Sequence, residues 1–179
     1  MNNDIRTTLE SMIASLSEPT GIRWTRDLHG NEYGWCTLAR ADDLPRIARD
    51  LQTAEGRLIT ITGHAPNTHS DKGFFEVSYN FVLRGVILNL TVIPEGTKPA
   101  VPSITRWHKA ADWAERELAE SYEITVTGHP DMRPLFLNAE NRDDARARMV
   151  PLSVMTNSAV TSTLWERIMG EKTEGGEQQ

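Results

Sequence analysis

Three residues of one charged stretch have side chains suited to acid–base chemistry: Glu115, Glu117 and His129. They lie within AERELAESYEITVTGHPDMRPLFL, residues 114–137. If residues 107–122 form a helix, the two glutamates stand two positions apart and do not face each other, so they cannot share a proton or hold one water between them. The spacing argues against a catalytic carboxylate pair and favours carboxylates that accept hydrogen bonds from neighbouring loops.

Arg116 is the third charge of this stretch, and helical geometry separates it from the two glutamates. At about 100° per residue an apolar stripe faces the core, and Arg116 points away from that stripe. Asp112 and Glu120 stand four residues before and after Arg116, the spacing at which helix side chains meet. Two interpretations stay open, because a wet ion pair contributes little whereas a fixed arginine is a common anchor in protein–protein contacts. The predicted stripe contains Trp107, Ala111, Ala114, Leu118 and Tyr122.

The sequence Gly128-His129-Pro130-Asp131 predicts a turn. Gly128 allows a positive φ, Pro130 restrains His129, and Asp131 can accept backbone hydrogen bonds. His129 could bind a metal or move a proton, but no second His or Cys stands at a recognised ligand spacing. A structural histidine that is satisfied by the backbone is the favoured interpretation.

Other cofactor and catalytic chemistries find little support in the sequence. It contains no P-loop, GxGxxG, GxSxG or HExxH motif. Cys36 is the only cysteine, which excludes an iron–sulfur cluster or an all-cysteine zinc site held by this chain alone, and its apolar strand context predicts a buried side chain. No cofactor or metal is therefore expected.

Charge and hydropathy set the expected partners and location. The formal net charge of −6 offers no general attraction to nucleic acid or to anionic lipid. No basic start precedes an apolar run, and no segment approaches about 18 uninterrupted apolar residues. The sequence predicts a cytoplasmic chain that associates with a membrane only through partner proteins.

Hydrophobic periodicity predicts three helices and five strands without a regular βαβ alternation. This arrangement is typical of an α+β domain, here a single domain at residues 1–170 with a mixed or antiparallel sheet packed against helices. The tail at 171–179 has no apolar residue and is predicted to be disordered. The helices are expected at about residues 5–16, 42–56 and 107–122, and the strands on both sides of a turn at 29–31, at 57–63, and at 74–93 as an antiparallel hairpin.

The quoted stretch also resembles a family signature. PSITRWHKAADWAERELAESYEI followed by GHPDMRPLFL is similar to the signature of the 30-kDa subunit family of respiratory complex I. The likeness continues more weakly upstream through GRLITITG and FFEVSYNF, so that it covers about residues 40–138. The matching signature positions are 102–105, 111–113, 115–117, 120–124 and 128–133.

This resemblance implies a structural subunit without a redox cofactor. Members of the family have an α+β domain and pack against the large catalytic subunit and the small iron–sulfur subunit of a hydrophilic arm. The resemblance therefore implies a partner interface at the motif residues Glu115, Arg116, Glu117, Gly128, His129, Pro130, Asp131 and Arg133.

The sequence also departs from the family pattern. Glu123 replaces the usual glycine, Glu120 replaces aspartate and Pro134 stands where a second arginine is common, so the turn after the helix is expected to differ. After Leu137 the respiratory continuation is missing, and RLITITG replaces an acidic strand end. In these respects the chain looks more like the subunits of membrane-bound energy-converting [NiFe] hydrogenases and formate hydrogenlyases. The alternatives are an NADH-quinone oxidoreductase subunit, a stand-alone acid–base enzyme and an unrelated adaptor.

Overall fold

The computed structural model describes residues 2–64, 75–94, 96 and 98–136, all within the compact unit Met1–Asn138. In this part of the chain, helices and strands combine as the α+β architecture predicted from the sequence. The helices are α1 (Asn2–Ala14), α2 (Leu44–Thr53) and α3 (Ala111–Tyr122). The strands are β1 (Arg23–Arg26), β2 (Glu32–Thr37), β3 (Arg57–His64), β4 (Glu76–Leu83), β5 (Val86–Val92), β6 (Ala100–Pro102) and β7 (Thr125–Thr127).

Two regions named in the sequence analysis lie outside the described residues. They are most of the polar segment between β3 and β4 and everything beyond residue 136. The boundary of the predicted domain at residue 170 and the predicted disordered tail at 171–179 therefore stay predictions.

The main sheet has five strands in the order β1-β2-β5-β4-β3. The β2–β5 pair is parallel, and the other three neighbouring pairs are antiparallel. The expected mixed sheet is thus confirmed. The parallel pair arises because the chain leaves the sheet after β2, forms α2 on one face, and returns at the far edge as β3.

The β4–β5 hairpin was predicted from strict alternation and is confirmed. Along β4 every second side chain is buried, beginning at Val77, as a strand with one covered face requires. Arg84 and Gly85 form the connection with φ values of 48° and 88°. Two successive positive φ values define the type I′ turn, whose twist matches that of the flanking strands.

All three helices of the described region pack on one face of the main sheet. Glu10 of α1 accepts a hydrogen bond of 2.8 Å from the indole of Trp24 on this face. The apolar stripe of α2 is buried here, consisting of Leu44, Ile47, Ala48 and Leu51. Cys36 is also buried on this face, as predicted, and burial raises the pKa of its thiol.

His108 joins α2 to the sheet below it. Its Nε2 lies 2.8 Å from the carbonyl oxygen of Ala48, and its ring meets that of Phe81 edge to face with centroids 5.1 Å apart. Burial lowers the pKa of His108, which keeps the ring neutral while Nε2–H donates to that carbonyl. The segment that precedes α3 is thereby fixed against the core.

Two short strands form a second sheet that was not predicted. Strands β6 and β7 pair in parallel, with Val101 opposite Val126. Each has three residues, and β6 ends in Pro102 within a proline-rich segment that indicated an irregular connection. Period-two patterning needs at least four residues to be visible, so strands this short leave no clear signal in the sequence.

Helix α3 begins four residues later than predicted. Residues 105–107 form a turn, in which the N–H groups of Trp107 and His108 both donate to the carbonyl of Ile104. Trp107 therefore lies before the helix, although it still packs against the core as expected. The helix proper runs from Ala111 to Tyr122.

Helix α3 lies very close to β3 at Gly63. A methyl group added at Gly63 would lie 2.7 Å from Cδ2 of Leu118 and 2.9 Å from a ring carbon of Tyr122. Contacts that short would force the side chains of Leu118 and Tyr122 to shift, so glycine at this position favours the close approach of the helix. The distance between α3 and the sheet is set at this point.

Helix α3 ends at Glu123, which adopts the left-handed conformation with φ 57° and ψ 22°. This is the position where the resembling family usually has glycine. The turn therefore differs from the family pattern in its backbone strain. A left-handed conformation is strained for glutamate, which has a Cβ atom, and is unstrained for glycine.

Glu123→Gly should raise the free energy of unfolding by roughly 0.5–1 kcal/mol, since it removes the left-handed strain. The matched control is Glu117→Gly in the exposed interior of the same helix, which should lower the free energy of unfolding by about 1 kcal/mol. Chemical denaturation of the full-length protein measures both values. A loss of similar size in the two variants would contradict the role assigned to Glu123.

Candidate functional site

Glu115 is the centre of the motif and is completely buried in α3. Its Oε1 accepts the backbone N–H of Ile104 at 2.7 Å. Its Oε2 accepts the hydroxyls of Ser103 at 2.6 Å and Thr105 at 2.8 Å. The carboxylate thus satisfies three donors of the segment that follows β6, as the loop-binding interpretation of the sequence predicted.

His129 occupies the predicted turn after β7, and its side chain is fully buried. Gly128 has the expected positive φ of 77°. The N–H of Asp131 donates to Nδ1 of His129 at 3.0 Å, so the backbone satisfies one of the two ring nitrogens, which confirms the prediction of a backbone-satisfied histidine in part. Because Nδ1 accepts a hydrogen bond, the neutral ring carries its proton on Nε2.

The proton on Nε2 of His129 faces two carboxylates. Oε2 of Glu115 and Oδ1 of Asp112 each lie 3.7 Å from Nε2. These distances exceed a hydrogen bond, and within the described residues neither Nε2 nor the Asp112 oxygen has a hydrogen-bond partner. The attraction is therefore electrostatic, and it holds the turn against α3.

Arg116 lies on the helix face opposite the core, as predicted, and pairs with Asp112, but it is not a solvated charge. Its side chain is only 13% exposed. Nε donates to the carbonyl of Arg133 at 2.9 Å and Nη2 to the carbonyl of Pro134 at 3.3 Å, while Nη1 lies 3.7 Å from Asp112. The helix face opposite the core is covered by the chain's own residues 131–136, which periodicity cannot reveal.

Glu120 continues this attachment one turn further along α3. Its carboxylate accepts the backbone N–H groups of Leu135 and Phe136, with the shortest distance 3.1 Å at Phe136. Glu120 is buried, so the solvated-face interpretation of this row does not hold at this residue. Four polar side chains of one helix, Asp112, Glu115, Arg116 and Glu120, thus hold the segment 129–136.

Asp131 and Arg133 form a second, more exposed element of the turn. The two side chains make a bidentate pair with distances of 2.6 to 2.9 Å, and Asp131 also accepts the N–H of Arg133 at 3.1 Å. This backbone acceptance was predicted from the sequence. The Arg133 side chain holds the pKa of Asp131 well below its usual range, while Arg133 itself stays 82% exposed.

Helix α3 and the segment held against it both expose large apolar side chains to solvent. Trp113 is 65% exposed, Met132 43% and Phe136 68%. Trp113 and Glu117 lie one residue beyond the Asp112 and Arg116 positions that bind the segment, so they border it on the helix. We call this surface the motif patch, made up of Trp113, Glu117, Met132, Arg133 and Phe136.

The sequence analysis missed most of the motif patch. Of its five residues, only Glu117 and Arg133 belonged to the predicted interface. The side chains of Glu115, Arg116 and His129 are covered by the chain itself. Glu117 is exposed and makes no hydrogen bond or ion pair within the described region. The sequence held one signal for this surface, namely that Trp113 is a large apolar residue that lies off the predicted apolar stripe of the helix.

The geometry of the motif does not support acid–base catalysis. Glu115 and His129 are buried, and their polar atoms face the chain itself. Three surface grooves, of about 310, 500 and 350 Å³, are lined by other residues, none of them Glu115, His129 or Asp112.

Within the described residues, no group of His, Cys, Asp and Glu side chains could hold a metal ion. No helix in the same residues is long and apolar enough to span a bilayer.

Comparison with known families agrees with the motif. Residues 37–156 match the family described as the respiratory-chain NADH dehydrogenase 30 Kd subunit. The chain belongs to this family. The match begins at the last residue of β2, covers α2 through β7 and contains every residue of the motif.

Curated relatives are named as a subunit of NADH-quinone oxidoreductase. The protein of Coxiella burnetii (strain Dugway 5J108-111) is 33% identical over 42% of this chain and 40% of its own length. That of Rhodopseudomonas palustris (strain TIE-1) is 42% identical over 35% of this chain and 31% of its own length. The chain therefore spans less than half of the length of these relatives.

Solved structures share the fold. The trypsin-resistant fragment 1–134 of Nqo5 superposes with a TM-score of 0.52 at 22% identity, over 71% of this chain and 98% of the fragment. A chain of the membrane-bound sulfane sulfur reductase, an archaeal respiratory membrane complex, superposes with a TM-score of 0.61 at 13% identity, over 99% of this chain and 95% of that chain.

Glu115→Gln should lower the free energy of unfolding by about 2–3 kcal/mol, because an amide leaves at least one of the three buried donors without a charged acceptor. Glu117→Gln is the matched control on the exposed side of α3 and should change that free energy by less than about 0.5 kcal/mol. Denaturant titration of the full-length variants gives both numbers. Equal losses would show that Glu115 does not hold the Ser103–Thr105 segment.

Arg116→Ala should lower the free energy of unfolding by roughly 1–3 kcal/mol, since two backbone carbonyls lose a charged donor. Arg116→Lys should recover only part of this loss, because lysine lacks the planar fork. Arg46→Ala, at an exposed arginine of α2, is the control and should be nearly neutral. If Arg116→Ala has the same free energy of unfolding as the wild type, the contacts of Arg116 with residues 133 and 134 do not stabilise the fold.

Proposed function

We propose that this chain is a structural subunit without a cofactor in the hydrophilic arm of a complex I-like, membrane-associated oxidoreductase. In that role it contacts the large catalytic subunit and the small iron–sulfur subunit through the motif patch. It works on the cytoplasmic side and reaches the membrane through these partners.

The observation that carries this proposal is the exposed apolar surface built by the family motif. Buried groups of the motif, from Glu115 to His129, are used to hold residues 129–136 in place. The result is that Met132 and Phe136 of the held segment and Trp113 of α3 are exposed to solvent, with the segment attached to the helix that carries Trp113. Aromatic and methionine side chains in such a position are typical of interface centres, and the neighbouring Arg133 and Glu117 suit a polar rim.

Family membership supports the nature of the partners. The curated relatives are named as subunits of NADH-quinone oxidoreductase, and one fold neighbour belongs to an archaeal respiratory membrane complex. The given sequence has one cysteine, too few to hold an iron–sulfur cluster alone, which is consistent with a subunit whose partners hold the clusters.

We assign the chain to the branch of energy-converting [NiFe] hydrogenases. Support comes from the sequence NAENRDDARARMVPLSV after Leu137, where respiratory members continue differently, and from RLITITG in β3. The second candidate is the equivalent subunit of an NADH-quinone oxidoreductase, which the names of the curated relatives favour.

Affinity purification of the tagged full-length protein from native membranes, followed by mass spectrometry, should recover a [NiFe] large subunit and a small iron–sulfur subunit. Recovery of flavin-binding NADH dehydrogenase subunits instead would assign the chain to the second candidate. Recovery of neither set would overturn the proposal that the chain is an arm subunit.

Trp113→Ala should lower the recovery of the large subunit at least tenfold, because a buried interface tryptophan commonly contributes about 2 kcal/mol or more, equivalent to about 30-fold in affinity. The isolated variant should unfold at the same denaturant concentration as the wild type, since Trp113 is 65% exposed. Leu28→Ala alters a fully exposed side chain in the β1–β2 turn and should leave recovery unchanged. Normal recovery with Trp113→Ala would remove the interface from the motif patch.

A further inference from the structure

The main sheet has a second face on which no helix packs within the described residues. Register places Tyr33, Trp35, Asn80, Ile87 and Asn89 on this face, because their neighbours along each strand point to the helices. We call it the open face. It lies on the side of the sheet opposite α3.

A groove of about 310 Å³ runs along the middle of the open face. Tyr33 and Trp35 of β2 form one wall and Ile59 of β3 forms the other. Trp35 is 40% exposed and Ile59 52% exposed, although both are large apolar side chains. Burial of these surfaces would release water from apolar area, which is the main driving force of association.

The floor of the groove carries polar groups that are ordered among themselves. Asn89 donates from Nδ2 to Oδ1 of Asn80 at 2.8 Å, and Thr91 donates to Oδ1 of Asn89 at 3.1 Å. In this arrangement the amide N–H groups of Asn80 have no partner within the described region. The floor can therefore donate hydrogen bonds to an occupant.

The two flanks of the groove are basic. Arg23 lies beyond Trp35, with its guanidinium carbon 5.8 Å from the centre of the indole ring. Arg57 lies at the opposite edge, across β4 from Ile87 in the register. The residues that line the groove include no Asp or Glu, although the whole chain has a net charge of −6. Asp27, beyond one end of the groove, has its carboxylate occupied by the hydroxyl of Tyr33 at 3.1 Å and by Asn31.

We propose that the open face binds one amphipathic helix of a different protein chain, with an apolar stripe in the groove and acidic residues on both flanks. The walls on β2 and β3 are three strand spacings apart, about 14 Å, which admits one helix of about 10–12 Å diameter and not two. The acidic flanks meet Arg23 and Arg57, and polar side chains of the helix accept hydrogen bonds from Asn80.

Charge decides against a second copy of this chain as the occupant. Two copies related by a twofold axis would bring the same open faces together, so Arg23 and Arg57 of one copy would approach the arginines of the other. Like charges at an interface are unfavourable, whereas an acidic partner is attracted. The open face therefore fits a different chain, and it is separate from the motif patch that the proposed function uses.

The test places a photoreactive benzoylphenylalanine at Ile59 of the full-length protein in its native host and sequences the crosslinked peptides. We expect crosslinks to a helical segment of another chain with carboxylates on both sides of an apolar stripe. Crosslinks to residues 137–179 of the same chain, to a second copy, to lipid or to nothing would each overturn the proposal. The same probe at Leu28 is the control and should not capture that segment.

Charge variants separate binding at the groove from general assembly. Arg23→Glu with Arg57→Glu should lower the crosslink yield from Ile59 at least tenfold, while Arg23→Lys with Arg57→Lys should retain it. Both pairs should leave the unfolding midpoint near that of the wild type, because these side chains are exposed. An unchanged yield after charge reversal would also overturn the proposal, whether or not the large subunit is recovered through the motif patch.

Discussion

The motif region depends on one buried carboxylate. Glu115 reaches from α3 to the segment after β6, where it satisfies a backbone N–H and two hydroxyls. An ionised group is costly to bury unless its hydrogen bonds are complete, and here they are supplied by one short segment. Because β6 pairs with β7, the same carboxylate also fixes the strand that leads to Gly128 and His129. The helix, the small sheet and the turn are therefore held at a common point.

Sequence reasoning predicted the elements that bury a regular apolar face. The stripe of α2 and the alternation along β4 follow directly from the 3.6 and 2.0 residue periods, and both are observed. Periodicity did not predict the features that depend on one or two specific hydrogen bonds. Strand β6 is too short to show a period, and the late start of α3 results from turns at Ile104 that no pattern encodes.

The sequence predicted which residues of the candidate site have structural roles, but not which of their side chains would be covered by the chain itself. The roles of Gly128 and Asp131 followed from backbone chemistry that is local to each residue. The burial of Arg116 did not, because helical geometry gives the angle of a side chain and not what covers it. Residues 131–136 return along α3 and provide carbonyl acceptors for Arg116. The same return leaves Trp113 exposed at the edge of the covered face.

The close approach of α3 to β3 at Gly63 also affects the distance between the motif patch and the open face. Leu118 and Tyr122 rest directly on the backbone of β3, so α3 can neither roll nor rise without losing these contacts. The motif patch is carried by α3 on one side of the main sheet, and the open face lies on the other. Any two proteins bound to these surfaces would be kept apart by one sheet and one helix in rigid contact. The absence of a side chain at Gly63 thus favours the short distance between α3 and the main sheet, and with it the separation of the two bound proteins.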